Sequence, residues 1–345
     1  MRNFAVSLGL TLIVGGAGGF LVDSLGLPGG WIIGSLAAAY IASFFKVPIA
    51  VPPQLRSLAM GFVGMTVGSA IDREMLGAAG NLPWSLLAMF GVMALMGGLT
   101  YALHRKLWGA SGATAISCAW PGNVLLAFAS AKALNADMDR VTVVQLVRVL
   151  ILMAAMPLAI GSFHSAPPDQ AVALTPDLAI AAALALASTG LALRLKLAGG
   201  EIFFSAAAIG ALTGFEVISF EVPEFALAGL QVVVGVYIGL GLARCSRQAF
   251  LAALTPSLAS AALATVLTLA SAFVLSGMLD TSAAALALAY APGGAEAMIL
   301  LSAVFDVDPG FVGIHHTLRL LVLTFCFPIA LRYFAAPSHQ ATGSR

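Results

Sequence analysis

The chain has 345 residues, of which 60% are hydrophobic and 9% charged, with a formal net charge of +1. Soluble domains carry about 25% charged residues, so a water-facing surface cannot be built here, and the mean hydropathy of +1.01 places the chain among polytopic α-helical membrane proteins. No basic run suits nucleic acid, and Cys118, Cys245 and Cys326 stand far apart in apolar sequence, with no CxxC pair and no disulfide framework.

Twelve apolar segments follow one another along the chain, most near the roughly 20 residues that a bilayer crossing needs. The first, 4–25, is too long for the apolar core of a signal peptide and reads as a span. Asp23 and Gly29-Gly30-Trp31 mark a tight turn into the second, 29–45. The third, 55–71, carries Gly61, Gly64 and Gly68 at small-xxx-small spacing, which lets helices approach closely. Segments 82–103, 110–131 and 141–162 complete the first half. The stretch around 166–176, with Pro167, Pro168 and Pro176, has a linker composition. Beyond it come 174–193, then 199–218 behind Gly199-Gly200-Glu201, then 225–243 with Gly235 and Gly239. Segments 250–278, 281–304 and 311–334 close the second half. The division expected is a first membrane repeat over 1–165, a linker over 166–176, a second repeat over 177–336 and a polar tail over 337–345.

The halves are related. At a shift of 171 residues Pro52 falls on Pro223, Gly64 on Gly235, Gly68 on Gly239, Pro121-Gly122 on Pro292-Gly293, Asp137 on Asp308, Arg148 on Arg319 and Pro157 on Pro328. At 170, Gly29-Gly30 falls on Gly199-Gly200. Such agreement indicates internal duplication. Cytoplasmic loops are enriched in Lys and Arg. If 110–131 and 281–304 enter and leave on the same side, 13 basic residues become cytoplasmic and only Arg73 stays outside. Each half then has five spans and one re-entrant or broken Pro-Gly segment. Five is odd, so the halves are inverted, a transporter architecture with its site near the midplane. Both termini are expected in the cytoplasm of a bacterial-type inner membrane.

The interrupted segments hold the chemistry. Pro121, Gly122 and Asn123 break one, and Pro292, Gly293 and Gly294 break the other. Proline removes a backbone donor and glycine loosens the chain. Unwound backbone at membrane depth survives only inside protein or beside a wet cavity, and half-helix N-termini suit an anion. Arg148 lies eight residues beyond Arg140 and Arg319 eight beyond Phe311, roughly 12 Å deep at about 1.5 Å per residue. A central arginine costs about 2.5–3.5 kcal/mol on insertion scales, so both need partners: an anionic substrate, the break carbonyls, or a buried carboxylate. Gln145 and the pair His315 and His316 share their helix faces. Glu296, His315 and His316 are candidates for carrying a coupling ion or proton, with a counter-ion role open for Glu296. No metal or cofactor is expected.

Several stretches carry a family likeness: LGLPGGWIIGSL (25–36), RSLAMGFVGMTVG (56–68), the WPGN and APGGAEAM breaks, ALNADMDRVTVVQLVRVL (133–150) and DVDPGFVGIHHTLRLLVL (306–323). With these the chain resembles the AbrB-duplication membrane protein family, also labelled ammonia monooxygenase. The first half departs from the pattern, with Trp120-Pro121-Gly122-Asn123 at its break and Leu125 opposite Glu296. The resemblance implies an integral membrane protein and carries a label of gene-expression regulation. The expected function is secondary transport of a small anionic solute by alternating access. The alternatives are a non-transporting membrane regulator and, with least support, a membrane oxidase. The partners expected are the bilayer and a small molecule or ion, without nucleic acid, and a homo-oligomer is left open.

Overall fold

The computed structural model describes residues 2–26, 29–71, 82–120, 124–161, 175–195, 199–242 and 247–335. Pro121 to Asn123, Arg73, most of the linker stretch and the 337–345 tail lie outside the described residues. Every regular element among the described residues is an α-helix. In the first half these are α1 (Arg2–Asp23), α2 (Gly30–Phe44), α3 (Pro53–Ser69), α4 (Leu82–Lys106), α5 (Gly112–Ala119), α6 (Val124–Ala133) and α7 (Met138–Gly161). In the second they are α8 (Pro176–Leu195), α9 (Gly200–Gly214), α10 (Glu224–Leu242), α11 (Arg247–Leu279), α12 (Ala283–Tyr290), α13 (Ala295–Val304) and α14 (Pro309–Ala335).

Helices α4, α7, α8, α10 and α11 are long and apolar enough to cross a bilayer, and the chain is an all-helical polytopic membrane protein. Two features differ from the expected segments. Helix α9 ends at Gly214, short of the expected 218, so that like α2 it has 15 residues, about 22 Å at 1.5 Å per residue, short of a core about 30 Å thick. Both helices stop because the chain turns left-handed at Lys46 and Glu216 (φ 55 and 59). Helix α11 runs the other way, to 33 residues with Pro256 inside it.

Local structure recurs down the chain at nearly constant spacing. Left-handed residues at Gly29, Lys46, Gly109 and Asn135 recur at Gly199, Glu216, Asp280 and Asp306. Glycine, asparagine and aspartate tolerate that conformation best. Ser111 caps α5 by accepting from the Thr114 N–H at 3.1 Å, and Ser282 caps α12 by accepting from the Ala285 N–H at 3.1 Å. Asp137 accepts from the Arg140 N–H at 3.0 Å, and Asp308 from the Phe311 N–H at 2.8 Å. Each of these caps satisfies an N–H that a helix start leaves without an intrahelical partner.

Packing sorts the helices into two bundles, and both halves of the chain contribute to each. Helices α1, α2 and α3 pack with α8, α9 and α10; α4 to α7 pack with α11 to α14. The glycine series sit in the first bundle. Gly64 and Gly68 of α3 face Ile202, Ser205 and Ile209 of α9, while Gly235 and Gly239 of α10 face Ile32, Ser35, Leu36 and Ala39 of α2. A Cβ on Gly64 would come within 2.5 Å of the Ile202 carbonyl oxygen, so only glycine permits this approach. In both pairs the residue numbers rise together, so the paired helices run parallel. Arg56, at the start of α3, stacks 4.9 Å over the Tyr237 ring toward the end of α10. Helices α3 and α10 therefore run in opposite directions.

Candidate functional site around the two helix breaks

The second bundle contains the two interruptions. Helix α5 ends at Ala119 and α6 begins at Val124; α12 ends at Tyr290 and α13 begins at Ala295. The first pair is a hairpin. Thr114 Oγ1 near the start of α5 accepts from the Asp137 N–H just beyond α6, at 3.0 Å. Deeper in, the Ser117 and Ser130 hydroxyls meet at 3.1 Å. The arms are thus antiparallel, and the chain enters and leaves at one end. Arg105 and Arg140 gather there, donating to the carbonyls of Ala110 and Trp108. Helices α12 and α13 likewise pack on each other and on α14.

The breaks themselves follow from proline chemistry. A helix carbonyl accepts from the N–H four residues later. Pro121 and Pro292 have no N–H, so Ser117 and Leu288 lose that partner. Side chains from the neighbouring helix replace it. Gln145 Nε2 donates to the Ser117 carbonyl at 2.9 Å, and His316 Nε2 meets the Leu288 carbonyl at 2.9 Å. Three residues on, Arg148 Nη2 donates to the Trp120 carbonyl at 3.0 Å, and Arg319 Nη1 to the Ala291 carbonyl at 2.7 Å. Each arginine also donates to its own neighbour, Arg148 to Gln145 Oε1 and Arg319 to His316 Nδ1. An imidazole that donates through Nε2 and accepts through Nδ1 is the neutral form. These three bonds each recur at a spacing of 171 residues, while Gln145 Nε2 also reaches the Cys118 and Trp120 carbonyls at 3.3 Å.

Both arginines are buried, Arg148 at 3% exposure and Arg319 at 0%. Each stands ten residues into its helix, α7 or α14, about 15 Å at 1.5 Å per residue, the middle of a core about 30 Å thick. Among the described residues neither forms an ion pair, and the Nε of each has no hydrogen-bond partner. Of the partner types expected, the break carbonyls bond to both arginines.

The two histidines part company. His316 faces the break, whereas His315 faces α4, bonding to the Phe311 carbonyl through Nδ1 at 2.8 Å and to Ser85 Oγ through Nε2 at 2.9 Å. Tyr290, the last residue of α12, donates to the Ser85 carbonyl at 2.8 Å. Ser85 and Tyr290 were not legible as site residues, because a serine and a tyrosine in apolar helices carry no pattern. Their proximity exists only once α4 packs across α12 and α14. Pro292 and Gly293 are buried, and Gly294 and Glu296 half-buried. Gly294 has φ −62 and ψ 124, a geometry open to any residue, so its value is space. Glu296 lies in the first turn of α13, where a carboxylate complements the helix dipole.

A cavity of about 480 Å³ lies apart from the breaks, at the hairpin's open end, lined by Trp108, Asp137, Asp139, Arg140, Gln248 and Pro256 among others. Among the described residues no three His, Cys, Asp or Glu side chains come together as a metal site.

Comparison with known proteins bears on this arrangement. A family described as Transition state regulatory protein AbrB matches residues 3–79 and 31–335. An Escherichia coli (strain K12) protein named "Putative regulator AbrB" is 24% identical over 339 residues, covering 94% of this chain and 95% of the relative. The longer family match runs through both breaks and both buried arginines, and the chain belongs to the AbrB family.

Proposed function

We propose that this chain is a secondary transporter of a small anionic solute, working by alternating access at a site between the two helix breaks near the bilayer midplane. The observation that carries the reading is the pair of interrupted helices at membrane depth, each held open by a buried arginine and its neighbour. Unwound backbone at that depth is tolerated where it lines a cavity or a moving element, and paired broken helices in repeated halves form transporter sites. The halves 1–165 and 177–336 act as inverted repeats, which the opposed directions of α3 and α10 support. Pro121, Gly122, Asn123, Pro292, Gly293 and Gly294 supply backbone to the solute. Arg148 and Arg319 hold the breaks and turn their free Nε groups to it. Glu296 is the coupling candidate. The protein sits in the inner membrane with both termini in the cytoplasm, and has no enzymatic role.

The relative's name favours a regulator, and one experiment separates the two readings. The full chain is reconstituted in proteoliposomes and anion-driven currents are recorded on a solid-supported membrane, beside a double variant, Pro121→Ala with Pro292→Ala. Transport requires a current in the native chain that the double variant lacks while it still melts cooperatively. A folded chain that passes no organic anion, and that instead retains a soluble partner through purification, sinks the transporter reading.

A further inference from the structure

Three membrane-crossing helices end around the cavity at the hairpin's open end: α4 just before Trp108, α7 at Met138 and α11 at Arg247. Helix ends lie at the edge of the hydrocarbon core, the level of lipid head groups and interfacial tryptophans. The volume of about 480 Å³ falls within the roughly 300–1,000 Å³ of small-molecule sites. Part of the lining is small and apolar, from Ala249, Ala252 and Ala253 of α11. It runs out onto bare helix surface, since Ala252 is exposed and Leu251 and Leu258 are 56% and 47% exposed. The rest carries both signs of charge within one turn, Asp137, Asp139 and Arg140, with Trp108 beside them.

Only some of these side chains serve the fold. Asp137 accepts from the Arg140 N–H, and its counterpart Asp308 makes the equivalent bond to Phe311. At the same spacing of 171, Asp139 is matched by Gly310, Arg140 by Phe311 and Trp108 by Leu279. The second broken segment therefore joins α14 without those three side chains. Arg140 Nη1 donates to the Trp108 carbonyl at 3.4 Å, and its Nε is buried with no partner, a donor awaiting an acceptor. Asp139 is exposed in the first turn of α7.

We propose that this cavity holds the head group of an aminophospholipid, its phosphate on Arg140 and its primary ammonium on Asp139, with the acyl chains along the exposed face of α11. A phosphate diester supplies the acceptor that the Arg140 Nε lacks, and guanidinium groups bind phosphate oxygens strongly. A primary ammonium, like that of lysine, donates N–H bonds to a carboxylate. A quaternary ammonium has no N–H to give, and a purely anionic head group would meet the two carboxylates with nothing to offer them. The apolar wall, open toward the bilayer, suits a ligand with a lipid tail rather than a fully soluble one. The site lies apart from the helix breaks and holds whatever the chain transports.

The test is lipid retention by the full-length protein, read by native mass spectrometry. The protein is released from nanodiscs holding equal parts of phosphatidylethanolamine, phosphatidylcholine and phosphatidylglycerol with identical acyl chains. One phosphatidylethanolamine per chain is expected, retained about tenfold or more over either other lipid. Asp139→Asn, which keeps the shape and removes the charge, is expected to bring the ethanolamine-to-choline ratio to within about threefold of one. Asp139→Lys is expected to turn the preference toward phosphatidylglycerol. Cooperative melting of each variant shows that it is folded. Equal retention of the three lipids, or a ratio unmoved in folded Asp139→Asn, overturns the proposal. Free phosphoethanolamine separates the two sources of this chemistry. If it displaces the retained lipid at equal concentration, the site belongs to a soluble zwitterion and the lipid assignment falls; retention in its presence supports the lipid.

Discussion

Pro292 and Leu288 show how much one missing N–H decides. The orphaned carbonyl must be satisfied or it costs about 1–3 kcal/mol in a buried setting, and His316 satisfies it. Gln145 does the same work for Ser117 in the first half, so the task demands a donor and an acceptor at fixed reach rather than an imidazole. His316→Gln is therefore expected to melt within a few degrees of the native protein, while His316→Leu loses about 1–3 kcal/mol. Thermal unfolding in detergent checks both, and a His316→Gln variant as unstable as His316→Leu would show that the two caps are not equivalent. The arginines were legible in the sequence because a charge in an apolar segment is conspicuous. Gln145 and His316 were legible as neighbours on the same helix faces, but not as caps of the break carbonyls, a task that exists only once the neighbouring half-helix ends against them.

At the level of the helix, the glycine series act through what they face. Gly64 meets the α9 backbone, whereas a Cβ on Gly91 in α4 would meet nothing within 4 Å. Gly64→Leu is expected to cost at least about 1–3 kcal/mol by overpacking. Gly91→Ala should leave stability unchanged or raise it by up to about 1 kcal/mol. Unfolding in mixed micelles measures the difference, and equal effects would remove the close approach of α3 and α9 from the account. The broken segments were visible as Pro-Gly pairs, and among the described residues α12 gives way to α13 across Pro292. The end of α2 was read to within a residue, but that of α9 was not visible, since its apolar window continues through the left-handed Glu216 that follows it.

For the molecule as a whole, the distribution of charge predicts an orientation. In the proposed topology Lys46 and Arg105 fall on the basic side and Glu216 and Asp306 on the acidic side, and all four are exposed. Single cysteines at Glu216 and Asp306, in a background lacking the native thiols, should react with a membrane-impermeant reagent in spheroplasts. Those at Lys46 and Arg105 should react only after lysis. Labelling of all four from one side would end the inverted arrangement. The two bundles draw helices from both halves of the chain, so the units seen in space do not coincide with the units read along it. Loop charge reports which face a turn occupies and says nothing about which neighbour a helix chooses.

Composition and period alone sufficed for the membrane class, the helical architecture and the interruption at Pro292. Each of these is a local property: apolar length, a proline, a charge in the wrong solvent. Partnership had to wait for the folded chain. Whether Arg319 would meet a carboxylate, a solute or a carbonyl depended on where Ala291 came to rest beside it, and whether His315 and His316 would act together depended on the hundred degrees that separate adjacent side chains on a helix. A residue's chemistry is written in its own atoms, but the groups that complete it lie up to hundreds of positions away, as Ser85 does from His315.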